Sequence, residues 1–421
     1  MQKLRLGFAI VALALFGESA AVSTNTSDDL VYDDRQVHAR TWVLPLAKRN
    51  TGRNGITKRH PADPAPHQPL APVATVELFR SKRGYWLANI EIGTHRPKHP
   101  QQFSHVVPDT GSSSLWVTSS KIPNPGSSNT YNPRLSSSSD NLHRTFELHY
   151  AAGSCEGPTY SDIVNVGGMK VKMAFGSVTK RDPNMEEGVL GLGLSPPAPP
   201  APPELQFFHA AQNTPAYHHF NPLAAFCFGM KDLAELYLGH VKDSAYLGEI
   251  EYHPVVQLSD TREPWAIGGG EISLGGTTTV VTSIRTVLDT GGQVILGPPG
   301  EVKNIYDKIP DSHYFGEDRG QGLYIIPCKP KPGREVEVSF RWNNGLGLGE
   351  PWVILPEDFA IPIPGEKTWC KGAIAGKVLD YDKNAKDLWQ AGDIFFRDKL
   401  VIFDARNKRV GLARAKKGCG H

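Results

Sequence analysis

The chain has 421 residues, 39% of them hydrophobic and 21% charged, with a formal net charge of +2. That length suffices for two or three domains with a sizeable core, and the composition is that of a folded protein. The near-zero charge argues against a nucleic acid as partner. Forty-two Gly and 34 Pro favour short strands and frequent turns over long helices.

The N-terminal text MQKLRLGFAIVALALFGESAA has a basic start at Lys3 and Arg5, an apolar run too short to span a bilayer, and small residues at Ser19-Ala20-Ala21. It reads as a secretory signal peptide over 1–21. No later run is long and apolar enough for a membrane helix, and the tail RAKKGCGH is no lipid-anchor signal. We therefore expect a protein without a membrane anchor, secreted or delivered to a vacuole-like compartment. Residues 22–79 read as a propeptide and Pro-rich linker. From Arg35 to Ala62 there are seven Lys/Arg and no acid, with dibasic pairs at Lys48-Arg49 and Lys58-Arg59. A disordered basic arm has the same composition. The sequon at Asn25 falls in this stretch, and HPADPAPHQPLAP is an extended spacer.

Strand text begins near Gly84. YWLANIEIG alternates; FELHY runs into Ala-Ala-Gly-Ser as a hairpin tip; DIVNVGGMKVKMAF is two strands about Gly167-Gly168. PPAPPAPP at 196–203 is a low-complexity loop, and 205–212 is a candidate short helix. Strands punctuated by Gly and Pro continue to the end. The expected fold class is all-β with few short helices, divided at about residue 245 into an N-terminal lobe (80–245) and a C-terminal lobe (246–421).

Five cysteines in an oxidising setting leave at least one without an intrachain partner. Cys328 and Cys370, both in strand-like text of the second half, are the best disulfide pair. Cys227, inside AFCFGM, reads as a buried thiol acting as a small apolar residue. Cys155 and Cys419 find no place. No cysteine or histidine grouping has metal-ligand spacing, so neither a metal nor a cofactor is expected.

One repetition carries chemistry. VVPDTGSSSLWV at 106–117 and TVLDTGGQVILG at 286–297 both set Asp-Thr-Gly after an apolar run, and each half later carries apolar-x-Gly text, GVLGLG and QAGDIFF. A single Asp-Thr-Gly is an ordinary turn. Two in matching contexts suggest two similar lobes that each offer one aspartate, Asp109 and Asp289. Two carboxylates sharing a site cannot both ionise cheaply, so they hold one proton between them. The ionised partner can take a proton from water while the other donates to a carbonyl oxygen, which is general acid–base hydrolysis of an amide without a covalent intermediate. Gly111 and Gly291 allow close approach, and Thr110 and Thr290 can bond across to the opposite lobe.

The stretches IEIGT, DTGSSSLWV, FELHYAAGS, EGVLGLG, LYLGHVKDSAYLGEIEYHPV, VLDTGG and GDIFFRDKLVIFDARNKRVGLA resemble the pepsin-like aspartic proteases from about Gly84 to Ala415, plausibly a secreted fungal member made as a zymogen. The resemblance implies a bilobal double β-barrel with a cleft between lobes, an endopeptidase acting as a monomer on peptide or protein substrates, and Asp109 and Asp289 around one water. It implies that Ser112 hydrogen-bonds Asp109, that Tyr150 is the tyrosine of a flap whose Gly153 and Ser154 face substrate, and that Trp116 offers its indole N–H to Tyr150. Gly292 and its neighbours would contribute to substrate binding.

The chain also departs from that pattern. Gly292 stands where Thr or Ser is usual, so Asp289 lacks the hydroxyl that would support its charge; Gln293 is bulkier than usual and narrows a subsite. Pro108 removes an amide before the first aspartate, Ala151-Ala152 alters the flap, and Cys155 in the same hairpin reads as an exposed thiol open to oxidation. These departures leave open a catalytically weak or inactive pepsin fold that binds peptide or protein in its cleft. A non-proteolytic, carbohydrate-binding β domain would explain the strands but not the doubled motif.

Overall fold

The computed structural model describes residues 73–419 except 95–98, 100, 126–128, 151–152, 184, 186, 195–204, 230–233, 259–263, 333–335, 380–386 and 418. The expected signal peptide, the sequon, the dibasic pairs, the spacer, the Pro-rich loop and the Ala151-Ala152 tip lie outside the described residues.

Among the described residues the chain is β throughout, in a 14-stranded and an 11-stranded sheet. Alternation makes the half-buried strands. Ala74–Arg80 and Gly153–Val166 point every second side chain inward, as a pleat covered on one face requires. Where both faces are covered the text is continuously apolar in Leu223–Phe228, and apolar apart from Glu235, which accepts the Tyr237 hydroxyl proton, in Ala234–Leu238. Helices are short: Phe207–Gln212 falls inside the stretch expected to be helical, and the longest, Pro299–Tyr306, has eight residues. None is long and apolar enough to cross a membrane.

The first sheet runs from the hairpin Asp140–Tyr150/Gly153–Val166 across Leu115–Thr118, Gly188–Gly191 and Gln102–Asp109 to Ala74–Arg80 and beyond. Its far side includes Tyr246–Pro254 and the closing strands Lys399–Asp404 and Arg409–Ala415. The end of the chain thus returns to the sheet of the first half. Lys399–Asp404 pairs with Leu223–Phe228 and buries its six residues there.

One arrangement occurs twice. Gln102–Asp109 lies parallel to Gly188–Gly191, with Val107 beside Val189 and Asp109 beside Gly191. Thr278–Leu288 lies parallel to Leu388–Ala391, with Val287 beside Gln390. The strand after each Asp-Thr-Gly turn then pairs antiparallel with the same partner, Trp116 opposite Val189 and Leu296 opposite Gln390. The offset between the copies is 180 residues.

Cys328 is joined to Cys370. The reading of Cys227 as a lone buried thiol is overturned, because it is joined to Cys419 with Cα atoms 5.6 Å apart. After the last strand the backbone turns back, Lys416 N–H donating to Ala245 O at 2.8 Å and Cys419 N–H to Lys416 O at 2.9 Å. That turn drops Cys419 into the cluster holding Cys227 and Ala245. Two half-cystines 192 residues apart offer no local signal of their meeting. Cys155 belongs to neither disulfide. The expectation of an exposed thiol also fails: the pleat turns Cys155 inward beside Phe146, Leu148 and Trp116, and it is 1% exposed.

Candidate active site

Both aspartates sit where a buried strand ends, Asp109 at the end of Gln102–Asp109 and Asp289 just after Thr278–Leu288. The two turns meet through their threonines. Thr110 Oγ1 donates to Leu288 O at 2.9 Å and accepts the Thr290 N–H at 3.0 Å. Thr290 Oγ1 donates to Pro108 O at 2.7 Å and accepts the Thr110 N–H at 3.1 Å. Each hydroxyl thus uses its one proton and a lone pair on the opposite backbone. Four buried hydrogen bonds fix one turn against the other. Pro108 brings no amide, and its carbonyl is the group the second lobe binds.

The glycines set the separation. A Cβ on Gly111 would fall 2.5 Å from Asp289 Cγ, and one on Gly291 would fall 2.5 Å from Asp109 Oδ1. Any side chain at either position would push the carboxyl groups apart. As it is, each glycine carries its amide to the aspartate of its own turn, Gly111 N–H to Asp109 Oδ1 at 2.8 Å and Gly291 N–H to Asp289 Oδ1 at 2.9 Å.

The second oxygen of each carboxyl is also met. Ser112 Oγ donates to Asp109 Oδ2 at 2.5 Å. Asp289 Oδ2 receives Gln390 Nε2 at 2.8 Å. The expectation that Gly292 leaves Asp289 without a side-chain donor is therefore corrected: a carboxamide from Leu388–Ala391 supplies it. The signal for Gln390 was present as a polar residue in the buried strand LWQA, aligned with Val189 of the first copy, but nothing local says where its amide points.

Asp109 and Asp289 are 7% and 2% exposed. Burial holds Asp289 well above the usual carboxylate range, and the charge of Asp109 and a hydrogen bond with it push the same way; the amides of Gly291 and Gly292 oppose them. The net direction is that Asp289 keeps its proton to higher pH than an ordinary carboxyl.

Over the first turn, Trp116 Nε1 donates to Tyr150 Oη at 2.9 Å. Trp116 is fully buried and Tyr150 packs on its cluster from the hairpin end, where Tyr150 and Gly153 are opposite. Ser154, on the opposite strand of the hairpin, is tied to Asp182. Its N–H and Oγ both lie on Asp182 Oδ2, at 2.6 and 3.1 Å. Beside the second turn, Gln293 Nε2 donates to Arg83 O at 2.7 Å and so ties the two lobes. A cavity of about 720 Å³ opens at this end, lined among others by Arg83, Gly84, Gln293, Val294, Phe315 and Ile394. Further cross-lobe bonds lie behind the site. Trp86 Nε1 and Arg80 Nη1 both reach the Asp393 carboxylate at 2.8 Å, and Trp265 Nε1 reaches Leu192 O at 2.9 Å. Sequence reading missed these partners, as it missed Asp182. Among the described residues no group of His, Cys, Asp and Glu is arranged to hold a metal ion.

Known proteins are similar to this chain in sequence. The family model described as eukaryotic aspartyl protease matches residues 85–415. An aspartic protease of Phaffia rhodozyma is 28% identical over 96% of this chain and 98% of its own length. Pepsin F of Oryctolagus cuniculus is 29% identical over 80% of the chain and 84% of its length. Cathepsin E of Cavia porcellus is 28% identical over 78% and 81%. With two joined Asp-Thr-Gly turns and a family match spanning nearly all of the described residues, the chain belongs to the eukaryotic aspartyl proteases.

Proposed function

We propose that the protein is an aspartic-type endopeptidase in which Asp109 and Asp289 activate one water against a peptide bond. The observation that carries this reading is the pair of buried carboxyl groups locked together by the Thr110–Thr290 exchange, one of them held above the usual carboxylate range. An extended peptide crosses the site beneath Tyr150, its backbone adding strand-like hydrogen bonds and one flank entering the cavity beside Gln293. With the shared proton drawn to Asp289, the Asp109 carboxylate takes a proton from water as the water oxygen attacks the carbonyl carbon, and the protonated carboxyl donates to the carbonyl oxygen. A gem-diol results. Proton transfer to the amide nitrogen and cleavage of the C–N bond then release a carboxylic acid and an amine, and the dyad returns to its one-proton state.

We also infer a zymogen that enters the secretory route. The apolar N-terminal run and the basic stretch 35–62 support it, and the two disulfides fit an oxidising compartment. The mature protein acts as a monomer.

The test is cleavage of a mixed peptide pool from about pH 2 to 8 by secreted, processed protein, with and without a statine-type inhibitor. Inhibitable cleavage that vanishes in Asp289→Asn is expected. A folded, processed protein inert across that range would overturn the reading in favour of a peptide-binding role. N-terminal sequencing of the secreted protein checks the processing: a mature start well before residue 49 would remove the propeptide assignment.

A further inference from the structure

The two copies of the site can be compared position by position at the 180-residue offset. Asp109 corresponds to Asp289, Ser112 to Gly292, Trp116 to Leu296 and, through the matched strand pairings, Val189 to Gln390. In the first copy the donor to the outer carboxyl oxygen comes from the turn, and the neighbouring strand contributes an apolar side chain. In the second the turn contributes nothing and the neighbouring strand contributes the donor. Both aspartates end with the same complement: one backbone amide on Oδ1 and one side-chain donor on Oδ2.

We propose that Gly292 and Gln390 form a matched pair, in which the Gln390 carboxamide is the positioning residue of Asp289 and the absent side chain at 292 is the space it needs. Three observations carry this. Gln390 Nε2 lies 2.8 Å from Asp289 Oδ2. A Cβ built on Gly292 would lie 2.9 Å from that same Nε2, so a side chain at 292 and the amide in its present place exclude one another. Gln390 is also fully buried, and among the described residues its Oε1 has no hydrogen-bond partner. A buried carboxamide with an unmet oxygen is a poor choice for packing at a position where the other copy uses valine, so its retention calls for a use outside packing. The bond to Asp289 is that use.

The consequence is electrostatic. An amide N–H can only donate, whereas a hydroxyl donates or accepts. As oriented, with Nε2 towards Asp289 Oδ2, Gln390 donates and so favours the ionised form of Asp289 and opposes the burial that disfavours it. It limits how far the second aspartate is pushed up and so sets where the dyad gives up its last proton.

The kinetic arm of the test rests on the peptidase reading; the spectroscopic arm does not. The titration of Asp289 is read in the full, processed protein as the infrared carboxylate difference against Asp289→Asn. Gln390→Val, which installs the residue of the first copy, and Gln390→Met, which keeps the bulk without a donor, are each expected to raise the midpoint by about one unit. Gly292→Ser alone crowds the amide but offers its own hydroxyl as donor, as Ser112 does in the first copy, and is expected to leave the midpoint near wild type. The double variant Gly292→Ser/Gln390→Val, which rebuilds the first copy's arrangement, is expected to return it towards wild type. The alkaline limb of kcat/KM should move with these midpoints while the acid limb stays in place. An unchanged midpoint in both Gln390 variants overturns the proposal, as does a double variant no closer to wild type than Gln390→Val. If the wild type proves inert to peptides, the peptidase reading falls while the infrared result still decides the role of Gln390.

Discussion

At the first turn Asp109 is served by Ser112, three residues along the chain, with Val189 on the neighbouring strand. At the second, Asp289 is served by Gln390, 101 residues away, and Gly292 leaves room for it. The surroundings differ too. Trp116 is bonded to Tyr150 of the hairpin in the first half, while Gln293 braces the second turn against Arg83. What the two halves share is the number and direction of donors to each carboxyl and the backbone clasp between turns. Residue identity is free to change where a donor can arrive from another strand, and it is constrained where two backbones touch.

The largest effect should come from the feature the halves share most strictly. Asp109→Asn and Asp289→Asn should each lower kcat/KM by about 10³-fold, since either change removes half of the acid–base pair. Substantial activity left in one of them would show that the halves are unequal partners.

Gly111→Ala and Gly291→Ala come next. Each inserts a methyl group 2.5 Å from the opposite aspartate, and each should cost about 1–3 kcal/mol in denaturant unfolding along with most of the cleavage rate. A large difference between the two would break the symmetry of the approach. Thr110→Val and Thr290→Val each remove a hydroxyl that both donates and accepts across the lobes. Each should destabilise by about 1–3 kcal/mol, as buried partners are left unmet. Each hydroxyl binds the other's turn, so the double variant should depart from the sum of the singles in a double-mutant cycle. Strict additivity would mean that the two turns are held independently.

A smaller effect isolates the second half by pH. Asp289 is raised above its ordinary 3.8, by burial first and by Asp109 second. Between those two values the folded state keeps a proton that the unfolded chain has released. Stability from this group is therefore full below the ordinary value and is lost as pH rises through the raised one. The difference in Tm between Asp289→Asn and wild type should move in favour of the variant on going from about pH 4 to pH 7. A constant difference would mean that Asp289 ionises in the fold as it does in the open chain. The smallest effect isolates the first half. Tyr150→Phe removes the acceptor of the Trp116 indole and should cost about 1 kcal/mol or less, with its mark on KM and not on the titration of Asp289.

Local patterning made much of this legible. Period-two alternation, Gly and Pro punctuation and the doubled Asp-Thr-Gly were enough to read an all-β chain of two similar halves and to single out Asp109, Thr110, Gly111 and their counterparts, while Ser112 was pointed to by the resemblance to pepsin-like proteases. Each of those features acts within a few residues, as Ser112 reaches back to Asp109. The remaining features depend on which distant strands lie side by side. Only the pairing of Thr278–Leu288 with Leu388–Ala391 brings Gln390 to Asp289. The return of the last strands to the first sheet, and the backward turn after them, carry Cys419 to Cys227. The pleat direction at Cys155, and not its place in a hairpin, turns that thiol inward. A side chain's type states what it can bond, but its partner across a hundred or more residues is chosen by the register and packing of the folded sheets.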